Sequence, residues 1–346
     1  MTKHRRTAKL IASLAALSLL AAACGDDDDT AGEQPAAEDG GTDDGTGDGV
    51  AGTCETALDE DDSVESLAEL DFSGLSVNVG SKDFVEQFVL SNLLIVALEA
   101  GGATVTDSTN LGGTLVNREA LLAGEIDAYF DYNGTGWTNF LENDDPSFDR
   151  EELTNGVCVE DLEENDIRWL GVSPFNNTYG FATAGDSPAA GGDLQAMADY
   201  IEENPDATVC LETEFPNRPD GMILWEEATG SVIPDNQIET LETGVIYEET
   251  ANGNCTFGEI FTTDGRIPAL GLDVVDDPGV FILYNVSLTI QDGLYQEAPE
   301  AWEAVADTIL ELLDNDTMAE LNRKVSADGQ DPKVVATDFL TEQGLL

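Results

Sequence analysis

From Leu75 onward the chain switches between two hydrophobic periods. In LSVNVGS the apolar side chains fall at every second position, the pattern of a strand with one buried face. DFVEQFVLSNLLIVALEAGG then sets apolar residues at helical spacing and stops at Gly101. ATVTDSTNL reads as a second strand, TLVNREALLAGEI as a second helix and IDAYFDY as a third strand. That order predicts a parallel sheet with helices on both faces. A second series starts near Trp169. IRWLGVSPF and YGFATAG read as strands, DLQAMADYIEENP as a helix, ATVCLET as a strand and RPDGMILWEEAT as the opening of a helix. GEIFTTDGRI and GVFILYNVSLTI add strand-like runs, and the tail from EAPEAWEAVADTILELL to Leu346 is helical. Two α/β lobes follow, with a first part over 74–177, a second lobe over 178–285 and a return to the first over 286–346. In such sheets ligands sit at the carboxyl ends of the strands. That singles out GSKDF, NLGGT and YNGTGW.

Upstream the pattern changes twice. Lys3, Arg5, Arg6 and Lys9 precede an apolar stretch from Leu10 to Ala23, and small residues lead to Cys24. The stretch is short for a membrane span, and residues 1–23 read as an export signal. LLAAAC followed by GDDDD resembles a bacterial lipobox, with Ala21 where Leu is commonest. The resemblance makes Cys24 the lipidated first residue of the mature protein. Residues 24–73 read as an acidic, low-complexity tether.

Charge narrows the function classes. Among 346 residues there are 71 acids and 13 bases, a net charge of −58. Such a surface argues against nucleic-acid binding, which needs bases to meet phosphates. Hydrophobic content of 41% still allows a sizeable core, so the acids read as a hydrated outer surface. The only histidine, His4, leaves with the signal. Ser-His-Asp and Cys-His catalysis and His-ligated zinc are thereby excluded; no metal and no cofactor is expected. Besides Cys24 there remain Cys54, Cys158, Cys210 and Cys255, an even set that outside the cytoplasm suggests two disulfides. Three pairings exist; Cys54–Cys158 with Cys210–Cys255 gives each lobe its own bond.

VGSKDFVEQ, NLGGT, GEIDAYFDYNGT, FNNTYGF, FPNRPDG and FTTDGRI occur in the order and spacing of the substrate-binding proteins of bacterial osmoprotectant ABC importers. The chain resembles that family from about Leu75 to Leu346. The resemblance implies a type II periplasmic-binding-protein-like clamshell, each lobe a mostly parallel sheet flanked by helices. It also implies a small quaternary-ammonium ligand, ABC permease subunits as partners, and a place outside the cytoplasm, held at the membrane by the lipid. By resemblance the ligand-facing rings are Tyr132, Tyr179, Phe261 and Tyr284, and the carboxylate donors are Lys82, Thr135 and Arg218. Phe261 stands where the family usually has Tyr, which keeps the ring face and loses the hydroxyl.

The ligand's chemistry fits those residue types. A trimethylammonium group has no N–H to donate, and aromatic faces meet it with little desolvation. The region from Leu75 on carries only nine bases, and Lys82 and Arg218 both fall in strand-end loops, which suggests an anion there. Glycine betaine is therefore the first expectation, with choline or carnitine as the alternative. Asn177 and Glu214 are expected to orient the donors. Tyr129, Trp137 and Trp225 read as packing, and Asp264 with Arg266 as a structural pair. Two other classes compete. An enzyme on the same scaffold would draw on Asp127, Asp131, Glu214 and Asp264 for acid–base work. An anchored sensory or adhesive surface protein is the third class.

Overall fold

The computed structural model of the protein describes Cys54, residues 56–58 and residues 63–346. The expected export signal, Cys24 and most of the expected tether lie outside the described residues. Ten strands are formed: β1 (Ser76–Lys82), β2 (Thr104–Gly112), β3 (Ala128–Tyr132), β4 (Ile167–Leu170), β5 (Tyr179–Ala184), β6 (Val209–Leu211), β7 (Ile238–Thr240), β8 (Phe257–Phe261), β9 (Leu272–Val274) and β10 (Val286–Gln291). They make two five-stranded sheets, ordered β2-β1-β3-β10-β4 and β7-β6-β8-β5-β9. In each sheet three neighbours run parallel, and the remaining two strands continue antiparallel.

The sheets share one plan because the chain crosses between them twice, from β4 to β5 and from β9 to β10. The crossings pair with each other through a bridge between Asn176 and Asn285. The Asn177 N–H donates to the Tyr284 carbonyl at 3.1 Å, and the Asn176 side-chain oxygen accepts from the Tyr284 N–H at 2.7 Å. The run GVFILYNVSLTI is therefore strand only from Val286; its first half is a crossing. Asp277 takes the N–H groups of Gly279, Val280 and Phe281, the local donors that no sheet satisfies there.

The central strand β3 is buried at all five positions, as a strand covered on both faces must be. The helix Val85–Ala100 follows β1, ends at Gly101 and buries side chains nearly all round. Helices Pro299–Glu311, Asn315–Ser326 and Pro332–Glu342 form the tail. Two features differ from the sequence reading. The helix Arg150–Asn165 has too few apolar residues to stand out, yet Asp149 caps it and Leu153, Val157 and Cys158 turn inward. The expected tether over 24–73 is also too long at its C-terminal end. Leu67, Leu70 and Phe72 are buried in the core, and Thr56 bonds to Asn155 at 2.8 Å. VESLAELDF places apolar side chains three apart, enough for a short helical turn to dock.

Cys54 is bonded to Cys158 in the first lobe and Cys210 to Cys255 in the second, closing sequence separations of 104 and 45. Such links act mainly by restricting the unfolded chain. Removing either pair as a double Cys→Ser variant is expected to cost up to about 4 kcal/mol, with the longer loop losing slightly more. Urea denaturation followed by circular dichroism measures it; midpoints equal to wild type would contradict the stabilisation.

Candidate functional site

Between the lobes lies a cavity of about 280 Å³. Its walls come from the carboxyl ends of the parallel strands: Lys82 to Phe84 after β1, Gly113 and Thr114 after β2, Tyr132 and Thr135 at the end of β3. The second sheet supplies Glu212, Glu214 and Arg218 after β6, Leu241 to Thr243 after β7, and Phe261 ending β8. The antiparallel strands contribute from their starts, Tyr179 at the head of β5 and Tyr284 just before β10. All seven residues assigned to the ligand from the sequence thus line one space: Lys82, Tyr132, Thr135, Tyr179, Arg218, Phe261 and Tyr284. Tyr129, Trp225 and the Asp264–Arg266 pair do not line it, and neither does Trp137. Tyr129 and Trp225 are fully buried in the core, and Asp264 pairs with Arg266 at 2.5 Å.

Five rings stand around the cavity in a closed cycle. Phe84 neighbours Phe261 at 5.3 Å, Phe261 neighbours Tyr179 at 5.3 Å, and Tyr179 neighbours Tyr284 at 5.3 Å. Tyr284 then meets Tyr132 at 6.3 Å, and Tyr132 meets Phe84 at 6.3 Å. A planar cycle with edges of this length has its middle about 5 Å from each centroid, within the ~6 Å reach of a cation–π contact. Tyr179 and Phe261 are cross-strand partners in the register of β5 and β8, which fixes one side of the cycle. Phe84 was missed from the sequence, although it belongs to the strand-end segment GSKDF. Burial pushes the Tyr132, Tyr179 and Tyr284 phenols well above their usual range, so these rings stay neutral.

Glycines in the motifs serve close approach. A side chain on Gly134 would run into the Leu283 carbonyl of the second crossing, and one on Gly113 would run into the Glu214 carboxylate. NGT therefore packs directly against the chain that carries Tyr284.

The two bases of the site carry their own counter-ions. Lys82 Nζ meets Asp131 at 2.7 Å, with both side chains buried. Asp131 also accepts from the Tyr129 hydroxyl at 2.5 Å and the Tyr132 N–H at 2.7 Å. An ammonium has three donors, so Lys82 retains capacity beyond Asp131. Arg218 forks onto Asp220 through Nε at 2.8 Å and Nη2 at 2.7 Å. It also donates across the cleft to the hydroxyls of Thr114 at 3.1 Å and Thr135 at 3.3 Å. Burial opposes ionisation of Asp220, but the Arg218 charge and hydrogen bonds prevail and hold its carboxyl below the usual range.

Behind the cycle sits Glu86, in the first turn of the helix Val85–Ala100 and fully buried. It accepts from the Tyr132 hydroxyl and the Asn177 amide at 2.8 Å each, from the Thr263 hydroxyl at 2.5 Å and from the Asn322 amide at 2.9 Å. One carboxylate thus joins a cage ring, the first crossing, the second lobe and the C-terminal helices. Burial raises its pKa, and the four hydrogen bonds oppose that only in part.

A sheet pair joined by two crossings, closing on a ring-lined cavity, defines a two-lobed binding shell for a small molecule. The chain belongs to the family described as the substrate binding domain of ABC-type glycine betaine transport systems, whose model matches residues 76–342. Its relatives include the glycine-betaine-binding protein of Pseudomonas aeruginosa PAO1, 32% identical over 281 residues (78% of this chain and 89% of that protein). Another is the glycine betaine-binding protein YehZ of Escherichia coli K12, 30% identical over 280 residues (78% and 90%). The solved structure of apo YehZ matches with a TM-score of 0.59 at 28% identity, covering 78% of this chain and 99% of that one. The fold is the periplasmic-binding-protein-like α/β clamshell. The protein is a substrate-binding protein of an ABC transporter for glycine betaine or related osmolytes, and the family is one of transport proteins rather than enzymes.

A second buried acid lies behind the cavity-lining Glu212. Glu259, fully buried on β8, accepts the Glu212 N–H at 2.8 Å. Burial, reinforced by the Glu212 charge, pushes its pKa well above 4.5. Between the unfolded value near 4.5 and the higher folded value, the native state holds a proton that the unfolded state has released. This contribution to stability is present below pH 4.5 and is lost as pH rises through the folded value. Glu259→Gln, which mimics the protonated form, is expected to raise the Tm at pH 8 on the order of 2 °C or more. The gain should vanish near pH 4.5; a gain independent of pH would contradict the raised pKa.

Proposed function

We propose that the protein is a lipid-anchored, extracytoplasmic receptor that captures a quaternary-ammonium osmoprotectant, glycine betaine first, within the five-ring cage and delivers it to ABC permease subunits. The observation that carries this reading is the closed cycle of Phe84, Phe261, Tyr179, Tyr284 and Tyr132, contributed by both lobes and lining one cavity. Each ring–cation contact contributes roughly 0.5–2 kcal/mol, so five give on the order of 5 kcal/mol gross. Micromolar affinity needs ~8 kcal/mol. The rest falls to the ligand's carboxylate, and Lys82, Thr135 and Arg218, all on the cavity wall, are its candidate donors. Lipid on Cys24 and the acidic run behind it give the receptor reach from the membrane. The two named relatives, both glycine betaine-binding proteins, support the ligand class.

Choline is the second reading. Lys82 and Arg218 are both already paired with buried carboxylates, which favours a ligand that brings positive charge alone. Calorimetry on the purified protein with glycine betaine, carnitine, proline betaine and choline decides between them. Glycine betaine is expected to bind tightest, and a clear choline preference would reverse the ranking.

Tyr132→Ala is expected to weaken glycine betaine binding more than about tenfold, since it removes a ring face. Tyr132→Phe, which keeps the ring and gives up the hydroxyl's bonds to Glu86 and Gln87, should retain most of the affinity. Equal loss in both variants would mean that the hydroxyl network, and not the ring face, supports the ligand.

A further inference from the structure

We propose that Glu214 sets the discrimination between carboxylated and purely cationic quaternary amines, because its own carboxylate occupies the place beside Arg218 and the Thr114 amide that a ligand's carboxylate would take. The inference rests on the quaternary-amine reading of the cavity and names the residue that tunes it.

Glu214 belongs to the second lobe but reaches the first. Its Oε1 accepts the Thr114 N–H at 3.2 Å, at the start of the helix Thr114–Ala123, and its Oε2 lies 3.6 Å from Arg218 Nη1. Arg218 Nη1 donates in turn to the Thr114 hydroxyl at 3.1 Å. A guanidinium, a hydroxyl and the first amide of a ten-residue helix together form an anion seat. The Glu214 carboxylate fills that seat from within. It comes close enough that a side chain on Gly113 would have to push it aside.

Glu214 differs from the two aspartates that neutralise Lys82 and Arg218. Asp131 and Asp220 have side chains at 0% exposure. Asp131 is held by Lys82, Tyr129 and the Tyr132 amide, and Asp220 by Arg218, Thr138 and Asn139. The Glu214 side chain is 38% exposed, lines the cavity, and has only the Thr114 amide and the looser Arg218 contact. It is the acid that can move aside. With it in place, Lys82 and Arg218 face the three carboxylates of Asp131, Asp220 and Glu214, and Asp83, Glu212 and Glu242 add further negative charge to the lining. A bare cation leaves that arrangement intact and gains from the extra negative charge. A betaine brings one more carboxylate to the Arg218 seat and must displace Glu214 or sit beside it, and like charges repel more strongly where water is partly excluded.

The test is calorimetry of glycine betaine and choline against the wild-type protein, Glu214→Gln and Glu214→Ala. Neutralising the side chain is expected to tighten betaine binding about tenfold while choline is unchanged or weakened, so that the affinity ratio shifts at least tenfold toward betaine. Glu214→Ala, which also frees the Thr114 amide, should shift the ratio in the same direction. If Glu214 only bridges the lobes, both ligands change by the same factor and the ratio stays put, which overturns the inference alone. A ratio that moves toward choline in either variant also overturns it. Wild-type protein that binds neither ligand would remove the quaternary-amine reading and this inference with it.

Discussion

The pairing of two chain crossings, Asn176 against Asn285, is the constraint on which the site depends. No single sheet could build the cage, because its rings are divided between the lobes and the crossings. Phe84 and Tyr132 stand on the first sheet's strand ends, Tyr179 and Phe261 on the second's, and Tyr284 on a crossing. The side chains of Asn133 and Asn176 take the N–H groups of Asn285 and Tyr284, so the crossing that carries the Tyr284 ring is fixed beside the end of β3. The Asn285 amide in turn donates to the carbonyls of Ser173 and Phe175 in the other crossing. A hinge made of asparagine bonds keeps five rings in register while leaving the lobes linked by only two strands of chain.

Electrostatics adds a second layer. A chain with 71 acids and 13 bases cannot leave a base unattended in its interior. Lys82, Arg118 and Arg218 are each buried and each paired with a buried aspartate. A buried base alone would carry a large desolvation penalty, and its partner removes most of it. The consequence at the binding site is that Lys82 and Arg218 are each neutralised by an aspartate while further acids line the cavity. In the proposed function the ammonium head is met by ring faces, which attract a cation without adding net charge.

Much of this was legible in the sequence, for identifiable reasons. Strands β1 to β3 and the helix Val85–Ala100 announce themselves through period and through Gly101. That the seven residues assigned to the ligand line one cavity was foreseeable because strand-end loops in a parallel sheet converge on one edge, and most of the motifs fall in those loops. What escaped detection depends on contacts far apart in the chain. Phe84 sits next to Asp83 and Lys82 with no local sign that it faces a cavity; only the approach of Phe261 makes it part of a cage. The pairing of Lys82 with Asp131 spans 49 positions, and the chain alone reveals neither member's partner. The helix Arg150–Asn165 was hidden by its acids, since its inward face is narrow and the rest meets water. The crossing before β10 looked like strand because its composition is strand-like, while its hydrogen bonds go to Asp277 and Asn176.

The scarcity of positive charge also shapes how the molecule can be handled. Among the described residues the lysines are Lys82, Lys324 and Lys333. Lys82 is shut in the cleft wall against Asp131, whereas Lys324 and Lys333 belong to the two last helices, away from the cavity lining. An amine-reactive fluorophore would consequently attach to the described residues at Lys324 and Lys333 on the last two helices and leave the cavity wall bare.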